Sequence, residues 1–349
     1  MNRCLLLAAN GLGTTSPNPM VGCVIVYNNT IIGEGYHIKS GGPHAEVHAI
    51  NSVKNKELLK QATLYVNLEP CAHWGKTPPC ANLIVQNQIP NVIIGSLDPF
   101  EKVAGKGIEI LKNAGINVIT GILNNECARL NKRFFCFHKN KRPYIVLKWA
   151  QTADGYIDLI RENTAHAHPN WITSEISRTL VHKWRSEEDA IMVGTNTIEK
   201  DNPKLNVRNW SGNNPVRILI DNNLRLSNSY AIFDDTVPTL IFTLLNPTEK
   251  TDISQYKNTK FIQINFDEKI TTQILNYLYI NNLQSIIIEG GAVLHKSFID
   301  ENLWDEARIF IGNQLFFSGV KAAKLPASQT EVYKSGTDNL IICYNNNVY

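Results

Sequence analysis

Several features that would mark a membrane protein or a nucleic-acid-binding protein are missing from this 349-residue chain. Its longest apolar runs fall well short of the roughly 18 residues that a bilayer-spanning helix needs. Lysine and arginine number 34 against 31 aspartates and glutamates, and the two signs are interspersed rather than gathered into a basic stripe or tail. The charge balance therefore requires neither nucleic acid nor a membrane, and a small anionic ligand is a sufficient partner.

A disulfide framework is not favoured either. The seven cysteines are odd in number and scattered. We also expect no signal peptide. We therefore expect reduced thiols and a cytoplasmic protein. Five of these residues are expected to serve in packing: Cys4, Cys23, Cys127, Cys136 and Cys343.

Two short patches between Pro43 and Cys80 have the composition of a catalytic zinc site. His44, Cys71 and Cys80 supply three soft ligands, which would leave the fourth tetrahedral position open for water. A structural zinc is normally closed by four protein ligands, so a set of three favours catalysis. Glu46, two residues after the histidine, has the general acid and base position of the zinc deaminases with a His-x-Glu and Pro-Cys-x-x-Cys signature.

The second patch departs from that signature, because eight residues, not two, separate Cys71 from Cys80. A loop must intervene. Thr77-Pro78-Pro79 before Cys80 is typical of a helix start, where the helix dipole stabilises a thiolate. The alternatives are a chance coincidence among seven cysteines and nine histidines, and a non-enzymatic zinc protein. The order of the residues and the position of Glu46 favour a catalytic zinc.

Length and pattern predict two α/β domains. In the first, apolar strands and helices alternate, which predicts a sheet with helices on its faces. The run from Cys127 to Lys141 is predicted as one helix that gives way to a basic connector. Arg142-Pro143 is the predicted boundary, because proline disfavours helix in the residue before it. The predicted domains are residues 1–141 and 142–349.

The run from Ile286 to Leu294 is the strongest feature of the second domain. A buried strand ends at Glu289-Gly290-Gly291 and a helix follows, so backbone N–H groups at the positive helix end could receive a phosphate. This pattern by itself leaves two alternatives open, a nucleotide site and an ordinary turn.

These motifs together resemble the bifunctional pyrimidine deaminase/reductase of riboflavin biosynthesis, over almost the whole chain. In the first domain the resemblance is carried by Ser16-Pro17-Asn18-Pro19-Met20-Val21-Gly22, His44-Ala45-Glu46, the loop that ends Thr77-Pro78-Pro79-Cys80, Asp98-Pro99 and Val103-Ala104-Gly105-Lys106-Gly107. It implies a cytidine-deaminase-like α/β/α zinc domain that deaminates 2,5-diamino-6-(5-phosphoribosylamino)pyrimidin-4(3H)-one. It also implies that Asn18, His37 and Lys76 contact substrate, although by pattern alone Asn18 could be a turn residue and His37 a surface histidine.

In the second domain the resemblance is carried by Lys148-Trp149-Ala150, Asp154-Gly155, Trp171-Ile172-Thr173, Arg185, Gly194-Thr195-Asn196-Thr197, Asp201-Asn202-Pro203-Lys204-Leu205, Arg208 and Glu289-Gly290-Gly291. It implies a dihydrofolate-reductase-like α/β fold that uses NADPH to reduce the ribosyl chain of 5-amino-6-(5-phosphoribosylamino)uracil to ribityl. The implied cofactor contacts are Ala150, Trp171, Thr197, Asp201, Gly291, Ala292, Val293 and Leu294. The implied substrate contacts are Arg185, Leu205, Arg208 and Glu289. Lys148 and Asp201 are implied catalytic residues, although by pattern alone Lys148 could snorkel to solvent and Asp201 could belong to a turn.

The chain departs from this family pattern in the second domain. The segment from Gly155 to Trp171 is longer than expected and includes His166 and His168, for which a solvated loop is the preferred interpretation. Pro169 stands where relatives often carry a serine that touches substrate.

The alternative function is a zinc deaminase of another nucleoside or of a tRNA base, with a C-terminal domain that only binds. The missing basic stripe and the long loop between Cys71 and Cys80 count against it. The residues do not give the oligomeric state. We expect a homo-oligomer that acts on a small phosphorylated pyrimidine, without nucleic-acid or membrane partners.

Overall fold

The computed structural model of the chain describes residues 1–72, 74, 78–100, 104–160, 170–246 and 253–345. The chain divides into two compact units, Met1–Lys141 and Arg142–Tyr349. The division falls at Lys141, which follows a helix in a left-handed backbone conformation and precedes the Arg142-Pro143 pair. Each unit has its own sheet and its own hydrophobic core.

The first unit is built on a sheet to which the described residues contribute five strands: β1 (Gly22–Tyr27), β2 (Thr30–Tyr36), β3 (Thr63–Leu68), β4 (Asn91–Ser96) and β5 (Asn117–Thr120). Their spatial order is β2-β1-β3-β4-β5, with β1 antiparallel to both neighbours and β3, β4 and β5 parallel. In the β1–β2 hairpin the turn residues Asn28 and Asn29 have φ values of 45° and 57°, which asparagine tolerates. Because β3 to β5 are parallel, their carboxyl ends share one edge of the sheet.

The helices described in this unit are α1 (Asn2–Ala8), α2 (Ala45–Ser52), α3 (Cys80–Gln86), α4 (Lys106–Asn113), α5 (Asn124–Leu130) and α6 (Lys132–Asn140). The prediction that a helix starting near Cys127 gives way to a connector before Lys141 is wrong, because the helix is interrupted at Asn131 and a second helix, α6, continues to Asn140. Asn131 is buried, its Oδ1 accepts from the backbone N–H of Met20 at 2.8 Å, and its Nδ2 donates to the Met20 carbonyl at 2.9 Å. An asparagine whose amide bonds backbone groups elsewhere commonly interrupts a helix.

The amide of Asn67, on β3, holds the next residues of the same loop. Its Oδ1 accepts from the N–H of Gly22 at 2.7 Å, and its Nδ2 donates to the Met20 carbonyl at 3.1 Å. Gly22 must be glycine, because a Cβ there would lie 2.1 Å from the Cys4 carbonyl oxygen. The segment that follows Asn18 is therefore fixed by buried hydrogen bonds rather than by packing alone.

The second unit has a larger sheet, to which the described residues contribute nine strands: β6 (Tyr144–Gln151), β8 (Ala190–Gly194), β9 (Val216–Ile220), β10 (Thr239–Thr243), β11 (Thr259–Gln263), β12 (Ser285–Ile288), β13 (Glu306–Ile311), β15 (Gln329–Ser335) and β16 (Asp338–Tyr344). Their order is β11-β10-β9-β8-β12-β6-β13-β16-β15. Neighbouring strands are parallel from β11 to β13, and β16 and β15 add antiparallel strands at one edge. A separate antiparallel pair joins β7 (Tyr156–Asp158) and β14 (Val320–Lys321).

The helices described in the second unit are α7 (Glu175–Glu187), α8 (Thr195–Asp201), α9 (Ile270–Ile280) and α10 (Ala292–Asp300). The buried strand and following helix that the sequence predicts around Glu289-Gly290-Gly291 are confirmed as β12 and α10. The pattern does not predict β7, β14 or β15, because the first two are very short and β15 is a mostly exposed edge strand. None of the helices in the described ranges combines the length and apolarity needed to cross a membrane.

Candidate active sites

Three metal-donor side chains converge beyond the carboxyl end of β3. His44 is the N-cap residue of α2, Cys71 lies in the segment after β3, and Cys80 is the first residue of α3. Their donor atoms all lie within 4.8 Å of one another. His44 Nδ1 is 3.5 Å from Cys71 Sγ and 3.3 Å from Cys80 Sγ. Cys80 thus lies close to Cys71 although eight residues separate them in the sequence.

The donor set fits zinc. Tetrahedral zinc with a Zn–N bond of about 2.0 Å and a Zn–S bond of about 2.3 Å places those two donor atoms roughly 3.5 Å apart, close to the separations in this site. The hydrogen bond from Cys80 lowers the pKa of Cys71 to about 4, and the adjacent Cys71 raises the pKa of Cys80. The two sulfurs therefore share one proton, and binding of a divalent cation would release it.

Glu46 lies in the first turn of α2 and is 3% exposed. Burial, helped by the nearby Cys71 sulfur, raises the pKa of its carboxyl group to about 7. Among the described residues, the converging donor group consists of His44, Cys71 and Cys80 and does not include Glu46. A buried carboxyl group that can take up and release a proton near neutral pH suits a general acid and base.

A histidine and an asparagine border the same site. His37 is 2% exposed, and its ring lies edge-on to the ring of His44 at a centroid distance of 5.3 Å. His37 Nδ1 is 3.0 Å from the Pro43 carbonyl oxygen, and Nε2 is 3.1 Å from Asn18 Nδ2. Since a carbonyl oxygen only accepts, the hydrogen bonds assign the proton to Nδ1, and Nε2 accepts from the amide of Asn18. Burial lowers the pKa of His37, which favours this neutral form. The contacts fix the orientation of the Asn18 amide.

Some sequence-predicted features lie outside the described residues. These are Lys76, His166, His168 and Pro169.

A cavity of about 1180 Å³ lies at the carboxyl ends of the parallel strands β6, β12, β8 and β9 in the second unit. This is the edge at which open α/β sheets bind ligands. The cavity is lined by all of the residues for which the resemblance implies a cofactor-binding, substrate-binding or catalytic role in the reductase: Lys148, Ala150, Trp171, Arg185, Thr197, Asp201, Leu205, Arg208, Glu289, Gly291, Ala292, Val293 and Leu294.

Glu289 is the electrostatic centre of this cavity and is 7% exposed. Arg185 donates to it through two nitrogens, with Nε 3.0 Å from Oε1 and Nη2 2.8 Å from Oε2. Lys148 Nζ lies 3.6 Å from Oε2. Burial alone would raise the pKa of Glu289, but Arg185 and Lys148 lower it to about 2. The Lys148 side chain is 14% exposed, and its partial burial lowers its pKa. The resemblance implies that Arg185 contacts substrate, and in the structure two nitrogens of its guanidinium donate to Glu289.

The turn between β12 and α10 has the form of a phosphate cradle. Gly290 has a φ of 116°, and Gly291 is the N-cap residue of α10. A Cβ at Gly290 would lie 2.7 Å from Thr197 Oγ1, whereas Cβ atoms at Gly291 and Gly194 would meet nothing within 4 Å. The backbone is therefore open toward the cavity at a helix N-terminus, where N–H groups and the dipole favour phosphate. Trp171 is 53% exposed, and the Arg178 guanidinium lies 4.6 Å from its ring centre. These features suit a dinucleotide cofactor.

The loop after α8 carries Leu205 and Arg208. Asn202 and Leu205 have φ values of 42° and 50°, a left-handed conformation that is uncommon for leucine. Leu205 is 2% exposed, while Arg208 is exposed and bonds the side chain of Asn206 at 3.1 Å. Strained backbone of this kind persists where the surroundings hold it and often accompanies a binding site.

Sequence reasoning missed two buried polar residues. His182 is 3% exposed, lines the cavity, and has no hydrogen bond at Nδ1 among the described residues. Its position three residues before Arg185 on α7, hence on the same helix face, was the available signal. Glu69 is 4% exposed and precedes Pro70 and Cys71, so the pattern Glu-Pro-Cys was a second signal.

Comparison with known proteins decides the family. Residues 143–334 match the family model described as RibD C-terminal domain, and residues 1–96 match the cytidine and deoxycytidylate deaminase zinc-binding region. The riboflavin biosynthesis protein RibD of Actinobacillus pleuropneumoniae is 39% identical over 330 residues, which cover 93% of this chain and 85% of that protein. This chain belongs to the RibD family of riboflavin biosynthesis proteins. The RibD protein of Aquifex aeolicus is 38% identical over 347 residues, 97% of this chain and 94% of that protein.

Solved structures of RibD proteins have the same fold. The diaminohydroxyphosphoribosylaminopyrimidine deaminase/5-amino-6-(5-phosphoribosylamino)uracil reductase of Thermotoga maritima matches with a TM-score of 0.87 at 35% identity, over 99% of this chain and 97% of that one. RibD of Acinetobacter baumannii matches with a TM-score of 0.84 at 32% identity, over 98% and 97%.

The family match confirms several predictions from the sequence. The fold class is a cytidine-deaminase-like domain followed by a reductase domain, and the chain is a bifunctional enzyme with deaminase and reductase parts. The deaminase part is zinc-binding and the reductase part uses NADPH.

Proposed function

We propose that the first unit deaminates 2,5-diamino-6-(5-phosphoribosylamino)pyrimidin-4(3H)-one, and that the second unit reduces the ribosyl chain of 5-amino-6-(5-phosphoribosylamino)uracil to ribityl. One observation carries the proposal. The donor trio of His44, Cys71 and Cys80 lies within 4.8 Å in a chain whose second unit pairs Lys148 with Glu289 inside a large cavity. The Thermotoga maritima relative, named for these two activities, matches nearly the whole chain.

His44, Cys71 and Cys80 are proposed to hold the zinc ion. When bound, zinc supplies Lewis-acid chemistry that lowers the pKa of a water molecule towards neutrality. Glu46 accepts a proton from the attacking water and returns it to the leaving amine. Water adds to the ring carbon, the C–N bond breaks, and ammonia leaves as a carbonyl forms. His37 and Asn18 hold the pyrimidine edge, since their mutual hydrogen bond fixes the amide orientation. Lys76 is kept as a proposed substrate contact on the resemblance alone.

Replacing Glu46 with glutamine tests the deaminase assignment. The amide keeps the size of the side chain but cannot accept the proton, so ammonia release should be lost while the zinc content stays near one ion per chain. Metal analysis and an ammonia assay on the same preparation measure both. A Glu46→Gln protein that purifies without zinc would reassign Glu46 as a ligand.

In the second unit, Gly291 and the first turn of α10 are proposed to hold the cofactor phosphates, with Ala150, Trp171, Thr197 and Asp201 as further contacts. NADPH, when bound, supplies the hydride. Lys148 is proposed to donate the proton that the opened sugar needs. Glu289 keeps the Lys148 ammonium in place, and burial makes that proton easier to release because it lowers the lysine pKa.

The substrate side of the cavity is assigned to Glu289, Leu205 and Arg208. The exposed Arg208 is the proposed phosphate contact, because a planar guanidinium binds phosphate through two nitrogens. Arg185 acts mainly by holding Glu289 in its ionised form.

Lys148→Ala tests the reductase assignment. NADPH oxidation at saturating substrate should fall on the order of 10²-fold if the residue transfers a proton. Lys183→Ala, on the exposed side of α7, is the matched control and should retain parent turnover. An unchanged turnover in Lys148→Ala would remove that residue from the catalytic set.

The alternative function, a zinc deaminase of another nucleoside or a tRNA base with a second unit that only binds, predicts no oxidation of NADPH with any deaminated substrate. The full set of reductase residues around one cavity favours the bifunctional enzyme. The free thiols of the donor trio suit a reducing compartment such as the cytosol.

A further inference from the structure

Glu69 precedes the proposed metal ligand Cys71 by two residues and is almost fully buried. Both of its carboxylate oxygens accept hydrogen bonds from the backbone of one segment. Oε2 accepts from the N–H groups of Asp98 and Gly105 at 3.4 and 3.0 Å. Oε1 accepts from those of Gly107 and Ile108 at 3.0 and 3.3 Å. The carboxylate thus has four backbone donors.

Three of those donors, Gly105, Gly107 and Ile108, belong to the start of α4. There the first N–H groups have no partner within the helix and the dipole favours a negative charge. The N-cap residue of α4 is Gly105, which has no side chain to cap the helix and has a φ of 80°. Glu69, the residue that follows β3, supplies the missing cap. This gives a physical role to the Gly105-Lys106-Gly107 run.

Further contacts restrain the backbone of Glu69 and Pro70, the two residues before Cys71. Glu69 N–H donates to the Ser96 carbonyl at 3.0 Å, which continues the pairing of β3 with β4. A Cβ at Gly107 would lie 2.0 Å from the Pro70 carbonyl oxygen, so α4 packs directly on that peptide group. Residues 69 and 70 therefore have little freedom to move.

Cys71 is the next residue, and its own backbone and sulfur face α3. Its carbonyl oxygen accepts from the N–H of Ala81 at 3.2 Å, and its Sγ accepts from the N–H of Cys80 at 3.3 Å. A shift of the preceding peptide would consequently move one thiolate of the donor trio relative to the other two donors.

We propose that Glu69 is a positioning residue for the zinc centre, which clamps Cys71 in place by binding the N-terminus of α4. The inference rests on the zinc site proposed above. A residue that acts only as a helix cap would stabilise the fold without changing the metal site, and this difference makes the inference testable.

The experiment measures zinc affinity of the full chain by competition with a chromophoric chelator, together with the absorption of the cobalt-substituted protein. Glu69→Gln removes the charge and turns an amide N–H toward backbone donors. We expect about 10- to 100-fold weaker zinc binding, the usual range for residues that orient metal ligands. We also expect an altered thiolate-to-cobalt charge-transfer band. Glu109→Gln, an exposed change of the same charge in the first turn of α4, is the matched control and should behave as the parent.

Gly107→Ala is the second variant, because it displaces the Pro70 carbonyl without changing any charge. It should weaken zinc binding in the same direction, and it decides the matter if Glu69→Gln does not fold. Parent-like zinc affinity and cobalt spectra in a folded Glu69→Gln protein would overturn the inference, as would failure of both variants to fold while Glu109→Gln folds. A parent protein that binds no zinc would instead overturn the proposed zinc site itself.

Discussion

Replacing Arg185 with alanine should destabilise the second unit even in the absence of substrate, because it removes the main partner of a buried carboxylate. Arg185 bonds Glu289 through two nitrogens at 3.0 and 2.8 Å. Of the two ion pairs that Glu289 makes among the described residues, the one with Lys148, at 3.6 Å, would remain. A buried charge that loses its partner is costly, since little water reaches it.

The expected loss of unfolding free energy can be estimated from the pKa shift of the Glu289 carboxyl group. Burial by itself would raise the pKa of Glu289, and the two cations instead lower it from 4.5 to about 2. At about 1.4 kcal/mol per pKa unit, the ionised form is favoured by about 3 kcal/mol in the folded protein. Arg185 makes the shorter contacts, so we expect Arg185→Ala to lose about 3 kcal/mol of unfolding free energy, at the lower end of measured values for broken buried pairs.

Urea unfolding followed by tryptophan fluorescence is a suitable assay, because five of the six tryptophans lie in the second unit and Trp74 lies in the first. The two units need not unfold together, so the transition is assigned by this signal. Arg208→Ala is the matched control. Its side chain is exposed, and its removal should change stability by no more than about 0.5 kcal/mol.

The pH dependence gives a second readout. A carboxyl group whose pKa is lower in the folded state stabilises the fold fully above its unfolded pKa, here 4.5, and loses that contribution as the pH falls towards about 2. The deficit of Arg185→Ala should therefore be largest at neutral pH and shrink below about pH 4.5. Equal stability of the variant and the parent at neutral pH would show that the pair does not stabilise the fold and would return Arg185 to the substrate contacts.

Three further predictions concern the two activities. Cys80→Ser should lose zinc and ammonia release together while NADPH oxidation with the deaminated substrate continues, and retained zinc would remove Cys80 from the ligands. Arg208→Ala should mainly raise KM if its phosphate contact is equally strong in the ground and transition states, so a kcat loss at constant KM would contradict that role. Residues 142–349 expressed alone should fold and oxidise NADPH with the deaminated substrate, and an inactive fragment beside an active full-length protein would show that the reductase site needs the first unit.

The donor trio could be predicted from the sequence because the pattern around each residue is local. His44 and Cys80 lie at the starts of helices, and turn-forming residues before each of them predict those helix starts. Cys71 follows an apolar strand. The reductase site could be predicted only through the family resemblance. The pattern Glu289-Gly290-Gly291 by itself fits an ordinary turn as well as a nucleotide site. Parallel strands then bring separate motifs to one edge.

The remaining features depend on contacts between residues far apart in the chain. Arg185 and Glu289 are separated by 104 positions, and no local pattern shows that they bond each other instead of a ligand. The break at Asn131 depends on Met20, 111 positions away. Glu69 is a similar case, because its partners become visible only when β3 and β4 are paired.

Mass analysis of the products tests the central claim most directly. The full-length protein is incubated with 2,5-diamino-6-(5-phosphoribosylamino)pyrimidin-4(3H)-one, with and without NADPH. Without NADPH, we expect the mass change for replacement of one amino group by a hydroxyl group, accompanied by ammonia. With NADPH, we expect a further gain of two hydrogens on the sugar chain. Unchanged substrate in the zinc-loaded protein, or a deaminated product that NADPH does not convert, would contradict the bifunctional assignment.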